Sequence, residues 1–324
     1  MRDRGLSYAE AGVDVEAYDR MLAGMKAAIE ATHGREVVAG VGPFAGLYEL
    51  PGGARLAAST DSVGTKVKVA IAAGRHDGIG RDLVNHCVND IATARARPLF
   101  VLDYFATGRL EEAVWSAVVK GVAAACTEAG CALLGGETAE MPGLYALGDY
   151  DLAGFVVGLV EGDPPDVSSV RAGDVLVGLP SAGLHTNGFA LVRRVFEDVA
   201  LDHVFPELRR PLGEELLEPH VSYLSELRRL EWKAAAHITG GGLPGNVPRV
   251  LPEGLAARFY CSAWKAQPIF DLIARRGRVD ADEMLATFNM GLGMVLVCDR
   301  PQPGYPVVGE VVEQRGTQRV SFTQ

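Results

Sequence analysis

Apolar residues recur at helical spacing in several stretches of the chain. Residues 14–33 and 79–95 place apolar side chains three and four positions apart, which is the pattern of a helix with one buried face. Residues 110–129 follow the same pattern, and Gly130 is suited to end that helix because glycine readily adopts a left-handed backbone. The helices predicted in this way span residues 14–33, 64–74, 79–95, 110–129, 187–198 and 213–230.

Short apolar runs bounded by turn residues predict strands between these helices. The longest run, LAGFVVGLV at 152–160, is flanked by Asp151 and Glu161 and has nine residues, whereas a membrane-spanning helix needs about 20. We therefore interpret it as a buried strand and expect no membrane association. The strands predicted in this way span residues 54–60, 98–106, 131–135, 150–161, 174–180 and 293–299.

Strands and helices mix in similar proportion in both halves of the 324-residue chain, so the predicted fold class is α/β with mixed sheets. At roughly 150 residues per domain, this length suggests two domains. Residues 162–173, GDPPDVSSVRAG, are rich in proline, glycine and serine and are the best candidate for a boundary. We therefore predict two related α/β domains, at residues 1–165 and 166–324.

The formal charge of −10, from 31 basic and 41 acidic residues, argues against nucleic-acid binding, because basic side chains supply most of that affinity. An anionic small molecule would need backbone N–H groups or a metal ion to hold it. The N-terminus, MRDRGLSYAEAG, lacks the apolar core of a secretory signal. None of the five cysteines forms a C-x-x-C pair, so we expect free thiols in a reducing compartment and a cytoplasmic location.

The usual nucleotide signatures, G-x-x-x-x-G-K-[ST] and a G-x-G-x-x-G between a strand and a helix, are missing from the sequence. The segment TDSVGTK at 60–66 instead places Asp61 at the end of a predicted strand, where its carboxylate is suited to Mg²⁺. Gly64 permits close backbone approach, and Thr65 and Lys66 begin a helix whose N-terminus can face phosphate oxygens. An N-capping aspartate with a solvated lysine is the alternative interpretation.

A stripe of polar residues follows the helix predicted over 79–95. Asp82, His86 and Asp90 recur at four-residue intervals on a side largely distinct from the apolar one, and a solvated polar face is the usual explanation. Asp90 belongs to an Asn-Asp pair, and both residue types are poor helix formers in mid-helix. This favours a ligand-binding role for Asp90.

The segment GGETAEMPG at 135–143 follows a predicted strand directly, and we predict that it forms a glycine-rich loop. Glu137, Thr138 and Glu140 crowd into it, and crowded carboxylates repel one another unless a metal ion, a cation or a proton compensates them. The density of carboxylates beside glycines at a strand end favours a functional loop over a solvated surface loop.

Three further glycine-rich segments carry candidate groups. SAGLHTNGF at 181–189 places His185 in a loop before a helix, where an imidazole is suited to proton transfer, although a lone loop histidine is more often incidental. TGGG at 239–242 offers consecutive backbone N–H groups for a phosphate or an oxyanion. FNMGLGM at 288–294 contains Asn289 as a hydrogen-bonding group.

Together, these segments closely resemble the aminoimidazole ribonucleotide synthetase family, whose members are also called phosphoribosylformylglycinamidine cyclo-ligases. The resemblance covers almost the whole chain. GGETAEMPG and the N-terminal SY-x-x-AGVD are highly specific to this family, whereas Asp-x-x-Gly-Thr-Lys and the Asn-Asp pair are shared across its superfamily. The segments that carry the resemblance are, in order, LSYAEAGVD, TDSVGTK, CVND, PLFVLDYFATG, GGETAEMPG, AGLHTNG, TGGG, PRVLP and FNMGLGM.

The resemblance implies an ATP-dependent conversion of formylglycinamidine ribonucleotide to 5-aminoimidazole ribonucleotide, with release of ADP and phosphate, in purine biosynthesis. It also implies Mg²⁺ and a homodimer in which the N-terminal sheets of two chains combine, with the ATP sites close to the interface. The expected roles are Mg²⁺ binding by Asp61 and Asp90, ATP binding by Lys26, Gly64, Thr65 and Lys66, substrate binding by Thr138, Asn187, Thr239, Gly240, Gly241 and Asn289, and catalysis by His185, Glu137 and Glu140.

Two segments depart from the family pattern. Ala9 and Glu10 stand where Lys-Asp is frequent, and Ser62 stands where glycine is frequent, so we assign no phosphate contact to Ala9 or Ser62. Another ATP-using enzyme of the same superfamily, such as a thiamine-phosphate kinase or a selenophosphate synthetase, is one alternative, which GGETAEMPG disfavours. A non-catalytic nucleotide-sensing dimer is the other, and the retained acidic residues together with His185 speak against it.

Overall fold

The computed structural model describes residues 5–323, leaving aside the side chains of Val15, Glu16 and Asp19. Its strands are β1 (Val37–Ala39), β2 (Gly46–Glu49), β3 (Arg55–Ser62), β4 (Ala96–Thr107), β5 (Ala132–Glu140), β6 (Tyr150–Val160), β7 (Val175–Pro180), β8 (Ala234–His237), β9 (Leu255–Tyr260), β10 (Leu292–Cys298), β11 (Val307–Glu313) and β12 (Val320–Thr323). They form two six-stranded sheets, with the orders β1-β2-β3-β6-β4-β5 and β12-β9-β11-β7-β10-β8.

Each sheet is mixed, because β4 and β5 pair in parallel in the first sheet and β9 and β12 do so in the second, while the other neighbours are antiparallel. This confirms the predicted fold class. The helices are α1 (Val15–Glu30), α2 (Lys66–Ala73), α3 (Ile79–Ala92), α4 (Glu112–Ala129), α5 (Phe189–Val195), α6 (Leu212–Leu216), α7 (Leu224–Arg229), α8 (Gly242–Asn246), α9 (Pro268–Gly277) and α10 (Ala281–Thr287).

Helix α3 packs against the first sheet. Its apolar side chains recur three and four residues apart, and Leu83, Cys87 and Ile91 are fully buried. Glycines of β6 let the helix approach closely: a Cβ atom at Gly154 would lie 2.9 Å from Cγ of Leu83, and one at Gly158 would lie 2.7 Å from Cδ1 of Ile91. Tight packing therefore fixes the position of the polar side chains that α3 also carries.

The opposite face of the first sheet is open to solvent. Along β6, the residues on the α3 side are buried, whereas those on the other side are half-buried or exposed, and Phe155 is 40% exposed. Tyr48 of β2 and Leu134 of the edge strand β5 are also exposed. An apolar face of this kind, spread over several strands, is typical of an interaction surface.

Strand β10 lies between β7 and β8 in the second sheet, and all its residues are buried. One sheet face packs on α8, and the other packs on α5 and α9, whose apolar core is continuous with the core of the first domain. The two domains are thus packed firmly together. Within residues 5–323, every helix is too short or too polar to cross a lipid bilayer.

Most predicted elements are confirmed, with ends shifted by a few residues, but two predictions are wrong. The helix predicted over 213–230 is two short helices, α6 and α7, because Pro219 interrupts the pattern and cannot donate a backbone hydrogen bond. The loop predicted at 135–143 is largely strand, since β5 pairs with β4 as far as Glu140. The boundary predicted at 165/166 falls in the segment between β6 and β7.

Candidate functional site

Four buried histidines meet where the two domains pack together, and we call them the histidine cluster: His86, His185, His220 and His237. His86 lies on α3, His185 in the loop after β7, His220 between α6 and α7, and His237 at the end of β8. Each is at most 3% exposed. The rings of His185 and His220 stack with centroids 4.0 Å apart, and the other neighbouring rings are 5.1 to 5.2 Å apart.

A continuous chain of polar contacts runs through this cluster and joins two carboxylates. It begins at Asp61, whose Oδ2 lies 2.8 Å from Nε2 of His86. Nδ1 of His86 then lies 3.0 Å from the Thr186 hydroxyl. We call this the polar chain; its members are, in order, Asp61, His86, Thr186, His220, His237 and Asp90.

The second half of the polar chain runs through His220 and His237 of the second domain and ends at Asp90 of the first. The Thr186 hydroxyl lies 3.4 Å from Nδ1 of His220, and Nε2 of His220 lies 3.0 Å from Nε2 of His237. Nδ1 of His237 lies 2.8 Å from Oδ1 of Asp90, and Ser59 donates its hydroxyl to Oδ2 of Asp90 at 2.9 Å. The predicted metal ligands Asp61 and Asp90 are therefore the two ends of one polar chain, in which Asp90 is hydrogen-bonded and Asp61 forms a close ion pair with His86.

The polar chain has five contacts, and each needs one proton to be a hydrogen bond. Four of them have hydrogen-bond geometry, and three neutral imidazoles and the Thr186 hydroxyl supply their four protons; the contact of His86 with Asp61 lacks that geometry and becomes an ion pair when His86 carries an added proton. Burial disfavours a charged His86, but the carboxylates of Asp61, Asp90 and Asp82 together outweigh burial and raise the pKa of His86 to about 9. Burial lowers the pKa of His220 and of His237, so His86 holds the added proton.

Asp61 is the most accessible member of the polar chain, with a side chain that is 36% exposed. Its Oδ1 accepts the backbone N–H of Ser62 at 2.7 Å, and the exposed Gly64 and Thr65 follow directly. Burial opposes ionisation of this carboxyl, but His86 outweighs burial and lowers the pKa of Asp61. A charged carboxylate therefore faces solvent beside the predicted phosphate-binding turn.

A buried ion pair lies beside the histidine cluster. Nζ of Lys66 lies 2.9 Å from Oδ1 of Asp82 and donates to the carbonyl of Glu218 at 2.8 Å, and both side chains of the pair are 0% exposed. Burial lowers the pKa of Lys66 and raises that of Asp82. The ammonium group of Lys66 therefore makes internal contacts, and it does not lie in the phosphate-facing position that the sequence predicted.

The segment 217–223, between α6 and α7, is bound along α3 by polar side chains. Nδ2 of Asn85 donates to the carbonyl of His220 at 2.7 Å, and Oδ1 of Asn89 accepts the N–H of Tyr223 at 2.7 Å. Asp82 accepts the N–H of His220 at 2.7 Å. The polar stripe of α3 is thus buried at the domain junction, and a solvated face is the wrong explanation for it.

His185 stacks on His220 and has a left-handed φ of 58°. Its Nε2 accepts the N–H of Ala182 at 3.3 Å, and its buried Nδ1 has no hydrogen-bond partner within residues 5–323. Burial and the neighbouring histidines lower the pKa of His185 well below its usual range, so the ring is neutral. Because Nε2 accepts, the proton belongs on Nδ1, and His185 presents a buried N–H donor.

The Thr-Gly-Gly-Gly segment at 239–242 follows β8 and lies beside Asn187. A Cβ atom at Gly240 would lie 3.6 Å from Oδ1 of Asn187, and Nδ2 of Asn187 is buried without a partner in the described part of the chain. Gly241 adopts a φ of 92°, and the amide of Asn246 holds the turn by donating to three of its carbonyls. The structure therefore brings together Asn187 and the predicted phosphate loop.

Asn289 is fully buried and has every polar atom engaged. Its Oδ1 accepts the Ser181 hydroxyl at 3.0 Å and the N–H of Gly291 at 2.8 Å, and its Nδ2 donates to the carbonyl of Gly183 at 2.9 Å. Asn289 therefore fixes the loop that carries His185, and its amide oxygen is fully used in that internal role.

The predicted acidic loop is part of the exposed edge strand β5. Nε1 of Trp115 donates to the hydroxyl of Thr138 at 3.2 Å, the N–H of Leu110 donates to Oε1 of Glu140 at 2.7 Å, and Glu137 is exposed. These contacts hold two of the three side chains on the α4 side of the strand end.

This acidic strand lies well away from the histidine cluster within one chain. Asp61 pairs with Gly154, Gly154 with Asp103, and Asp103 with Gly136, so three strand spacings separate β3 from β5. At about 4.8 Å per spacing, that is roughly 14 Å. One chain therefore does not place Glu137 beside Asp61.

Lys26, predicted to lie near ATP, is on helix α1. Its side chain is 58% exposed and lies 3.7 Å from Glu30. Within one chain, this lysine is a surface residue of an outer helix.

Sequence reasoning missed three members of the polar chain, namely Thr186, His220 and His237. His237 directly precedes the Thr-Gly-Gly-Gly segment, and its place next to a predicted phosphate loop is a signal that could have identified it. His220 has no comparable signal, because its position depends on how the segment 217–223 folds onto α3.

The chain matches two sequence profiles of one protein family. The profile of the AIR synthase related protein, N-terminal domain, matches residues 42–160, and that of its C-terminal domain matches residues 171–318. The phosphoribosylformylglycinamidine cyclo-ligase of Myxococcus xanthus is 54% identical over 305 residues, which cover 90% of this chain and 88% of that protein. The protein of the same name from Geobacillus thermodenitrificans is 47% identical, and the match covers 98% of each chain.

Solved structures of the same fold are more distant in sequence. A structure described as AaThiL complexed with AMPPCP and TMP superposes with a TM-score of 0.66 at 16% identity, covering 94% of each chain. The hydrogenase maturation protein HypE of E. coli gives a TM-score of 0.59 at 19% identity, again covering 94% of each chain. At these identities the likeness shows the fold alone.

Proposed function

We propose that this chain converts formylglycinamidine ribonucleotide and ATP to 5-aminoimidazole ribonucleotide, ADP and phosphate. The chain belongs to the AIR synthase related family and, within it, to the phosphoribosylformylglycinamidine cyclo-ligases. This reaction is an ATP-dependent step of purine biosynthesis. The observation that carries the proposal is the identity of 54% and 47% to curated cyclo-ligases over at least nine-tenths of the chain.

Asp61 and Asp90 are the residues proposed to hold Mg²⁺ with ATP. Mg²⁺ prefers oxygen ligands and keeps waters and phosphate oxygens in its shell, so two carboxylates from the protein fit it. Asp61 is charged and open to solvent, while Asp90 reaches the same region once it gives up its bond from Ser59 or His237. When bound, the ion would neutralise charge on the phosphates.

The chemistry requires activation of the formyl oxygen, which is a poor leaving group. Transfer of the terminal phosphoryl group of ATP to this oxygen creates a phosphate leaving group, and attack of the amidine nitrogen on the same carbon then closes the ring. The protein contributes mainly by positioning the reactants and neutralising charge. His86, held cationic beside Asp61, places a positive charge at a site that also holds two carboxylates.

Two buried donors that have no partner among the described residues 5–323 are proposed to bind anionic oxygens of the substrate. Nδ1 of His185 and Nδ2 of Asn187 belong to the same loop, and Asn187 also lies beside Gly240. We assign the backbone of Thr239, Gly240 and Gly241 to a phosphate group. Donors that are fixed before reaction stabilise developing negative charge without a cost of reorganisation.

A homodimer joined through the open face of the first sheet is part of the proposal. Its support is the exposure of Tyr48, Leu134 and Phe155 on that face. A partner chain would cover these apolar side chains, and it would also lie near β5, where Glu137, Thr138 and Glu140 are too far from the histidine cluster of their own chain. Lys26 is assigned to ATP only through such an assembly, and a cytoplasmic location follows from the substrates.

The test is a turnover assay with the purified chain, formylglycinamidine ribonucleotide, ATP and Mg²⁺. ADP and a diazotisable aminoimidazole should form in equal amounts. ADP formation without the aminoimidazole, or turnover of thiamine phosphate in place of the ribonucleotide, would assign the chain to another reaction of this fold.

A further inference from the structure

Two imidazoles and a carboxylate converge on one point at the domain junction. His86, Asp90 and His237 each place one potential ligand atom within 4.8 Å of the other two, and the residues are 3%, 6% and 0% exposed. His86 and Asp90 are one helical turn apart on α3, so their side chains share a face of the helix. His237 reaches the same point from β8 of the second domain.

The ring nitrogens around this point already have the partners that a metal site needs. Metal-bound histidines almost always use the second ring nitrogen to bond a carboxylate or another polar group, which fixes the orientation of the ring. Nδ1 of His86 is held by the Thr186 hydroxyl, whereas its buried Nε2, 2.8 Å from Oδ2 of Asp61, makes no hydrogen bond within residues 5–323, so one ring nitrogen is held while the other can bind an ion once it gives up its proton. His237 faces Asp90 with Nδ1 and is held at Nε2 by His220.

We propose that His86, Asp90 and His237 form a binding site for a transition-metal ion of the zinc class, such as Zn²⁺ or Co²⁺, that needs no nucleotide. Imidazole nitrogens suit these ions, whereas Mg²⁺ prefers oxygen ligands and keeps its water, so two imidazoles select against Mg²⁺. Three protein ligands leave room for one water in a four-coordinate site. Asp61, beside His86 and partly exposed, marks the side from which an ion enters.

The bound ion would link the two domains, because its ligands come from α3 and from β8. We therefore expect the metal-free protein to gain thermal stability when Zn²⁺ is added in the absence of ATP. This site shares Asp90 with the proposed Mg²⁺–ATP site, so the inference concerns the nucleotide-free protein, and the proposed reaction is tested separately by turnover without added transition metal. The proposed transition-metal site and the proposed reaction can therefore be refuted separately.

The first experiment uses the full-length wild-type protein, stripped of metal and free of nucleotide. Titration with Co²⁺ should give a visible absorption band that saturates at one ion per chain, and a large excess of Mg²⁺ should leave the band unchanged. X-ray absorption of the Zn²⁺-loaded protein should show imidazole ligands. A shell of oxygen ligands alone, or displacement of Co²⁺ by a comparable concentration of Mg²⁺, would overturn the proposal.

The second experiment compares matched histidine variants by the same Co²⁺ titration. His237→Gln and His86→Gln should each weaken Co²⁺ binding at least tenfold, whereas His203→Gln, at an exposed histidine outside the cluster, should bind like the wild type. Unchanged affinity in both cluster variants would contradict the assignment. Circular dichroism checks their fold, and the wild-type absorption data decide the question independently of how the variants fold.

Discussion

Nδ1 of His237 lies 2.8 Å from Oδ1 of Asp90, and this contact joins the last residue of β8 in the second domain to α3 in the first. It closes the polar chain that begins at Asp61. A change in the relative position of the domains would therefore alter the hydrogen bonding of Asp90 and that of His86, which faces Asp61. This coupling explains why a set of residues scattered over the sequence behaves as one site.

Asp61→Asn and Asp90→Asn should fold normally and lose most Mg²⁺-dependent turnover. An amide keeps the size of the side chain but removes the charge that holds the ion near the phosphates, and a loss of about 100-fold or more in kcat is expected. The measurement is steady-state ADP release at saturating ATP. Asp163→Asn, at a carboxylate that is 97% exposed, is the control and should retain wild-type turnover. Near-wild-type rates for Asp90→Asn would remove Asp90 from the metal site.

Lys66→Met should destabilise the protein strongly through Asp82. The substitution leaves a buried carboxylate without its cation, which typically costs about 3–5 kcal/mol in the free energy of unfolding. Lys68→Met, at a partly exposed lysine paired with Asp149, should cost less than about 1 kcal/mol. Urea unfolding followed by circular dichroism measures both.

A double variant separates the charge effect from packing. Lys66→Met combined with Asp82→Asn should recover part of the lost stability, because the amide oxygen still accepts the N–H of His220 while the unpaired charge is gone. If the double variant were as unstable as the sum of the single ones, the ion pair would not be the source of the loss.

The helices and strands of the first domain were largely predictable, but the burial of the α3 polar stripe was not. A helix with one apolar and one polar face has the same periodicity whether solvent or another domain covers the polar face. The partners of Asn85 and Asn89 come from residues 220–223, more than 130 positions later. A contact of that kind leaves no local pattern in the sequence.

The segment around Gly135 and Gly136 shows a second limit. Two adjacent glycines usually end a strand, and the sequence predicted a loop there. In the structure they lie on the edge strand β5, where pairing with β4 continues on one side only. A Cβ atom at Gly136 would lie 2.2 Å from the Asp103 carbonyl oxygen, so close strand packing explains this glycine better than a turn does.

The stability contributed by His86 should depend on pH in a defined window. The pKa of His86 is about 9 in the folded protein, against an ordinary value of 6.5, so the charged ring stabilises the fold. That contribution, roughly 3 kcal/mol, is fully present below pH 6.5 and is lost as the pH rises through 9.

The measurement compares wild-type protein with His86→Gln in the presence of a chelator and without nucleotide. The difference in unfolding free energy between the two should shrink between pH 6.5 and pH 9. His203→Gln, at an exposed histidine, should show no such trend. A difference that stays constant over this range would mean that His86 is neutral in the folded state.

Phe155→Asp should disrupt the proposed dimer. The side chain is 40% exposed in the middle of the open sheet face, and a carboxylate there would be buried unpaired when two such faces meet. Light scattering should report the mass of two chains for wild type and of one for the variant. Val204→Asp, at an exposed residue of the second domain, should remain dimeric. A monomeric wild type would contradict the proposed assembly.

The most direct test of the proposed reaction follows the oxygen atom of the formyl group. With formylglycinamidine ribonucleotide isotopically labelled at that oxygen, mass spectrometry of the products reports where the label goes. We expect one label in each molecule of inorganic phosphate and one aminoimidazole ribonucleotide formed per ADP. Label that appears in water, with unlabelled phosphate, would contradict phosphoryl transfer to the formyl oxygen and with it the proposed mechanism.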